Sequence, residues 1–366
     1  MSAIGRSLRA SGGDSRLLLP LAVLALIFLF DLIFIPGFFD LEIRQGNLYG
    51  SVIDILRNSA PTILLAIGMT VVIATGGVDL SVGAIMAISA SVAAILIDPR
   101  RVGITLSGDI TTVVGDPTYS FMPLPIVIVV ALLAALACGL WNGALVAYVR
   151  IQPMVATLIL MIAGRGIAQL STNSIKINLF NDAFAFLGNG FIFLLPFSLF
   201  VVLAVFLGSW LLLRRTALGL FVESVGISSR ASLFAGIGEK RVKLFAYAFC
   251  GLCAGVAGLI AVSSIKTSDA NVIGLYTELD AILAVVIGGT LLGAGGRFSL
   301  LGSVIGAIVI QATMTSMYHV GVPASAITVV KAIVVILVIV LYSEQAQTFV
   351  RRAFLQRRKR KRDAVT

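Results

Sequence analysis

Residues 124–149 read LPIVIVVALLAALACGLWNGALVAYV, an apolar run without a charged residue, and about 20 such residues suffice to cross a bilayer as one helix. The run is not alone. Apolar stretches bounded by charge, Pro or Gly clusters also occupy 17–38, 59–76, 80–97, 152–171, 191–213, 244–264, 278–293, 300–318 and 324–343 of the 366 residues. Composition agrees with this reading. AVILMFWYC make up 59% of the chain and charged residues 12%, against roughly 25% charged in soluble domains, and the mean hydropathy is +1.06. A soluble enzyme, a disordered protein and a disulfide-stapled secreted module are excluded. The predicted fold is all-α, a polytopic membrane protein of about ten transmembrane helices.

An even number of spans puts both termini on one side, and the basic residues favour the cytoplasm. Inside segments then hold nineteen of the 27 Lys and Arg, outside segments six, and Arg165 and Lys331 fall within spans. The division is a cytoplasmic N-terminal segment over 1–16, a single transmembrane domain over 17–343 and a basic cytoplasmic tail over 344–366. The apolar run from Leu17 continues to Phe39 with no small-x-small cleavage site behind it, so it reads as a retained first span. The basic run of the tail, Arg357 to Arg362, contains no interleaved aromatic, so the tail suits anionic lipid headgroups rather than nucleic acid. The longest outside loop is 98–123, with alternation at 110–114 that suggests a small hairpin. The longest inside loop is 214–243.

Several chemistries are missing. No Gly-Lys dipeptide occurs, so no Walker A loop can hold ATP phosphates, and the single histidine, His319, supplies neither a His-based catalytic site nor a metal cluster. No metal site and no cofactor is expected in this chain. Cys138, Cys250 and Cys253 lie in apolar runs and read as small packing residues despite the Cys-x-x-Cys spacing. Carboxylates within spans are few: Asp31, Asp79 and the Glu278/Asp280 pair. A driving force for transport therefore has to come from another chain.

The sharpest local feature is Thr75-Gly76-Gly77-Val78-Asp79-Leu80-Ser81-Val82-Gly83. Gly76, Gly77 and Gly83 break the helical pattern. Two readings stay open: Asp79 or Ser81 caps the following helix, or the break leaves Asp79 and polar backbone on a water-filled path. An Asp in bare lipid costs ~2.5–3.5 kcal/mol, so in either case it faces protein or water. Asn142, Gln152, Thr157, Arg165, Gln169, Asp280, Thr290 and Gln311 are further polar residues in or beside apolar spans. Singly they serve interhelical hydrogen bonding; together they suit a path for a neutral, hydroxyl-rich solute. Gly251/Gly255 and Gly302/Gly306 are spaced for close helix approach. Ile67-Gly68-Met69-Thr70 with Gly76-Gly77 and Gly83 is echoed by Ile287-Gly288-Gly289-Thr290 with Gly295-Gly296 and Gly302, a spacing that suggests an internal repeat. The inside loop from Thr216 to Ile237 has helix-like apolar spacing (Leu220, Val222, Val225, Ile227) that suits docking on a cytoplasmic partner.

Four stretches carry a resemblance to a known family: Ala66–Thr70 leading into Gly76–Gly83; Trp141-Asn142-Gly143 with Gln152-Pro153-Met154-Val155-Ala156-Thr157-Leu158; Thr216–Ile237; and Asp280–Thr290. The chain resembles the integral-membrane permease subunits of bacterial ABC importers for monosaccharides, the ribose/xylose/arabinose/galactose group. Val52–Leu56, Ala163–Leu170, Asp269-Ala270-Asn271 with Gly274-Leu275, and Gly296-Arg297-Phe298 bring it nearer to galactofuranose importer permeases. The resemblance implies a bacterial inner-membrane location and a pore built with a second permease copy or paralogue. It also implies a periplasmic sugar-binding protein and a cytoplasmic ATPase subunit with two nucleotide-binding halves, which would bind the ATP. By position, Glu223, Gly226, Arg230, Ala231 and Gly236 would belong to the helix that couples to the ATPase. Ser228-Ser229 stand where many members have Asn and Pro. The mechanism it implies is alternating access; the residues alone also leave an ion-coupled carrier or a passive channel open.

Overall fold

The computed structural model describes residues 14–44, 46–98, 120–290, 295–323, 326–327 and 329–333. The hairpin expected at 110–114, the basic tail and most of the expected span 324–343 lie outside the described residues. The chain divides after Ala312 into two units. In the first, the elements are α1 (Asp14–Phe34), the strand pair β1 (Glu42–Arg44) and β2 (Asn47–Tyr49), α2 (Ser51–Ala74), α3 (Val82–Ile97) and α4 (Leu124–Ala144), which continues as a π turn over Leu145–Val149. Then come α5 (Pro153–Ser171), β3 (Ile177–Asn178), α6 (Asp182–Asn189), β4 (Phe191–Ile192), β5 (Leu195–Pro196), α7 (Phe197–Arg215), α8 (Ala217–Ile227) and α9 (Ser229–Phe234). The series ends with α10 (Glu239–Ile265), β6 (Thr267–Ser268), α11 (Thr277–Ile287) and α12 (Leu300–His319), the last running into the second unit. In that second unit α12 finishes with His319 Nδ1 3.0 Å from the Thr315 carbonyl.

Among the described residues, seven helices are long and apolar enough to cross a membrane: α1, α2, α4 with its π turn, α5, α7, α10 and α12. The all-α polytopic expectation holds, with changes at helix ends. α2 begins at Ser51, ahead of the expected 59, because Asp54 and Arg57 pair one turn apart (3.3 Å) and carry the helix beyond its apolar part. α10 likewise begins at Glu239, whose Oε1 accepts from Lys243 Nζ at 2.5 Å. α7 begins at Phe197 because 191–196 form a hairpin pairing Phe191 with Pro196 and Ile192 with Leu195.

The span expected at 278–293 is corrected. α11 has 11 residues, about 16 Å of helix, too short for a hydrocarbon layer of about 30 Å. Ahead of it, 269–276 runs without helix, with Gly274 (φ 70) and Tyr276 (φ 63) in left-handed conformation. Behind it, Gly288 ends the helix. α3, at 16 residues or about 24 Å, is also partial.

The core forms around α2 and α10, the two most buried long helices. α10 packs on α4, α2 and α3; α3 packs on α5 and α4; α11 packs on α2. Leu64, Ile67, Met69, Ile73, Ile85 and Tyr247 are fully enclosed there. The long helices α1, α4, α5 and α7 leave most of their apolar surface outward, among them Leu133 and Trp141 of α4 and Ile162 and Leu170 of α5. That is the distribution hydrocarbon rewards, since lipid replaces water on those faces.

Small residues set the helix spacing. A Cβ on Gly251 would lie 2.7 Å from the Ala135 carbonyl oxygen and 2.9 Å from Gly139 Cα, so α10 and α4 touch backbone to backbone. Cys250 and Cys253 are buried thiols against Gly68 of α2, the packing role read from the sequence. The expected close approaches at Gly255, Gly302 and Gly306 are present as well, against Ala135, Gly288 and Ala284. The internal echo is not repeated in local conformation: Gly68 lies inside α2, whereas Gly288 terminates α11. We expect Gly251→Ala to cost about 1–3 kcal/mol through overpacking, read as a lowered Tm in detergent. Gly208→Ala, inside α7 where a Cβ meets nothing within 4 Å, should hold or slightly raise Tm, since Ala favours the helix by about 0.5–1 kcal/mol.

Candidate translocation site

The interruption between α2 and α3 is built by its own residues. α2 stops at Ala74; Thr75 Oγ1 donates back to the Val72 carbonyl at 2.7 Å, and Gly76 takes φ 84, which a Cβ would oppose. Val78 to Leu80 then pass through the protein outside any helix, and the Val78 carbonyl, Leu80 N and Ser81 N are answered by side chains. Asp79 Oδ1 accepts from Ser81 N (2.9 Å), Ser81 Oγ (2.6 Å) and Asn142 Nδ2 (3.4 Å). Asn142 Nδ2 also donates to Ser81 Oγ at 2.7 Å. Thr157 Oγ1 accepts from Leu80 N at 3.1 Å, and Tyr247 Oη reaches the Val78 carbonyl at 3.5 Å. Asp79, Ser81, Asn142 and Thr157 are all fully buried. Four of the residues singled out in the sequence therefore form one cluster, contributed by the break, α4 and α5.

Asp79 takes the Ser81 N–H at the start of α3, the kind of acceptance the capping reading gives it. Ser81 makes no cap bond of its own: it sits just ahead of α3 with φ −90 and ψ −4, and its hydroxyl is engaged by Asp79 and Asn142. In this conformation Asp79 faces protein rather than an open path. Tyr247, which the sequence reading passed over, contributes to the same junction; only its position eight residues into an apolar helix signalled it.

On the side of the inside loop, the region expected to hold one helix from Glu223 to Ile237 is two. Ser228 adopts extended backbone (φ −161, ψ 104), ends α8 and accepts the Ala231 N–H at 3.2 Å to start α9. Thr216 starts α8 by accepting from Leu218 N at 3.2 Å. Val222 and Val225 are buried against the bundle, while Leu220, Ile227, Leu233 and Phe234 point outward. Arg230, Ala231 and Gly236 are exposed and Glu223 is half-buried. Gly226 rests on the carbonyl of Ala74, the last residue of α2, so closely that a Cβ would overlap it. The same carbonyl accepts from Gly296 N at 2.8 Å.

Over residues 51–341 the chain matches the family described as branched-chain amino acid transport system / permease component. The chain belongs to this family of permeases. It is 45% identical to the galactofuranose transporter permease protein YtfT of Escherichia coli K12, over 89% of each chain. It is 38% identical to the fructose import permease protein FruF of Bifidobacterium longum NCC 2705, over 81% of this chain and 79% of that one. The ribose import permease protein RbsC of Escherichia coli K12 is 32% identical over 84% of this chain and 87% of its own. No solved structure matches it. The permease is a multi-pass inner-membrane protein and a transport subunit rather than an enzyme.

The remaining polar residues of the permease are dispersed. Arg165 Nη1 donates to the carbonyls of Ala270 (3.1 Å) and Ile273 (2.5 Å), and Gln169 Nε2 donates to Asn271 Oδ1 (2.9 Å). Both hold the non-helical 269–276 segment, so the intramembrane arginine is satisfied by carbonyls. Asp280 is half-buried in the first turn of α11. Thr290 is buried and its Oγ1 accepts from Ser299 N at 3.3 Å. Gln152 is exposed where α5 begins and Gln311 is half-buried on α12; neither bonds to the Asp79 cluster. Among the described residues no group of His, Cys, Asp or Glu is placed to hold a metal ion.

The Asp79 bonds separate charge from hydrogen bonding. Asp79→Asn keeps an acceptor for Ser81 and should hold stability within about 1 kcal/mol. Asp79→Ala leaves the Ser81 N–H and hydroxyl unanswered in a buried site and should cost about 1–3 kcal/mol. Thermal unfolding of both variants in detergent reads the difference.

Proposed function

We propose that the chain is the pore-forming permease subunit of an ATP-driven ABC importer that moves a monosaccharide across the inner membrane by alternating access, with galactofuranose the first candidate. The observation that carries the mechanism is the seat of Gly226 on the Ala74 carbonyl. Through it, α8 touches the end of α2 one residue before the break at Thr75–Ser81. A push on the exposed face of α8 and α9 therefore acts on the broken segment through rigid backbone contacts. Family membership supports the substrate class, since the named relatives are permeases for galactofuranose, fructose and ribose.

The partners implied are a cytoplasmic ATPase with two nucleotide-binding halves, a periplasmic sugar-binding protein and a second permease copy or paralogue. ATP is bound by the ATPase, and this chain needs no cofactor of its own. Leu220, Ile227, Leu233 and Phe234 supply an apolar docking face for the ATPase, and Arg230 and Gly236 lie on it. A groove of about 850 Å³ beside this face is lined by Tyr148, Leu218, Phe221, Leu233, Ile237 and Val242, among others. The family supports this reading over an ion-coupled carrier or a channel. Once released into the pore, the sugar meets few strong contacts, which suits passage: a deep binding well would hold the solute.

ATP-dependent sugar uptake by the reconstituted complex tests the reading. Uptake should vanish when the ATPase is omitted, and uptake that persists overturns the coupling. Gly226→Asp should lower ATP-driven uptake at least tenfold at equal permease content, because the new side chain cannot share space with the Ala74 carbonyl.

A further inference from the structure

Glu278 is the second residue of α11. Its side chain is buried, 7% exposed, and its Oε2 makes no hydrogen bond among the described residues. A Cβ on Gly83 would lie 2.5 Å from that oxygen, and nearer still to the Gly274 carbonyl. Gly83 is the second residue of α3. The carboxylate thus sits where the starts of two partial helices, α3 and α11, cross through a pair of glycines.

The charged groups acting on Glu278 are Arg165 and Asp280. Arg165 spends Nη1 on the carbonyls of Ala270 and Ile273, so it holds the chain just ahead of α11. A buried acceptor without a donor is rare in folded proteins and asks for an occupant in some other state. The helix starts add amide N–H groups that have no partner within their own helices. A carboxylate acceptor beside amide donors suits a neutral polyol, whose hydroxyls both donate and accept. It disfavours an anion, which the carboxylate repels.

Resting on the permease reading above, we infer that Glu278 is a contact for the translocated monosaccharide: Oε2 accepts a sugar hydroxyl when the Gly83–Gly274 crossing parts. Asp79 has a different task. Its Oδ1 takes three hydrogen bonds from the break and α4, so that oxygen holds structure, although its Oδ2 is also buried without a partner among the described residues.

The test uses the complete transporter, with ATPase and binding protein, in proteoliposomes. Galactose, ribose and fructose are the first probes. If the wild-type complex takes up none of them under ATP, the importer reading fails, independently of Glu278. With the sugar that is taken up, wild type, Glu278→Gln and Glu278→Ala are compared at equal permease content. The parent sugar and its singly deoxygenated analogues are each presented preloaded on the binding protein, so that maximal rates report the pore. Removing one hydroxyl-specific hydrogen bond to a charged group should compress the preference over one analogue about tenfold in Glu278→Ala, and leave the others unchanged. Glu278→Gln, which keeps the volume and an acceptor, should restore part of that preference. If both variants slow every substrate by one common factor, or change none, Glu278 touches no sugar and the inference is overturned.

Discussion

A backbone that leaves its helix inside a membrane must still have its N–H and C=O groups answered, because hydrocarbon offers none of the partners water would. Two non-helical passages among the described residues, 75–81 and 269–276, are organised around that constraint. In the first, a carboxylate, two hydroxyls and an amide from three elements converge on the break: Asp79 and Ser81 from the break itself, Asn142 from α4 and Thr157 from α5. In the second, Arg165 from α5 gives two hydrogen bonds to carbonyls that have lost their helix, and Gln169 one turn on fixes Asn271. Polar residues in the spans that look like solute ligands when read singly are, in large part, the supports that let the chain stop being helical.

This explains what was legible in the sequence and what was not. The long apolar helices were plain because lipid permits a simple pattern: an unbroken apolar run that satisfies its own backbone. The break at Gly76–Gly77 was plain because two glycines next to an Asp are costly inside a helix. α11 was misread as a full span because apolar composition continues past Ile287, and only tertiary contacts reveal that the chain ahead of Thr277 is pinned in a non-helical path by Arg165. The division of the inside loop into α8 and α9 was missed for a related reason: Ser228 carries the apolar pattern through, yet its hydroxyl prefers the Ala231 N–H. Which polar residues meet was not readable at all. Asn142 and Asp79 lie 63 positions apart, and nothing in their spacing says that they touch.

Close backbone contact is what makes transmission across such a bundle direct. Where side chains intervene, a push can be absorbed by rotamer changes. Where glycine rests on a carbonyl, as Gly226 does on Ala74 and Gly251 on Ala135, there is nothing to rotate. The Ala74 carbonyl is the more telling of the two, since it also accepts from Gly296 N and so joins α8, α2 and the chain leading into α12 at one atom. Rigid joints of this kind sit at the end of α2, and the softer, side-chain-mediated joint sits one turn farther along, at Asp79.

The two buried acids then divide along the same line. A carboxylate whose oxygen collects three donors lowers the energy of the conformation that supplies them, so Asp79 biases the bundle toward the arrangement described. A carboxylate with one buried oxygen that collects none raises the energy of the same arrangement, and a donor that reaches it would lower that energy. Glu278 stands at the glycine crossing of α3 with the segment before α11, where any parting of the partial helices must begin. The difference between the two acids therefore lies in one oxygen each: Asp79 Oδ1 is held by donors of the break and α4, while Asp79 Oδ2 and Glu278 Oε2 are both buried without a donor among the described residues.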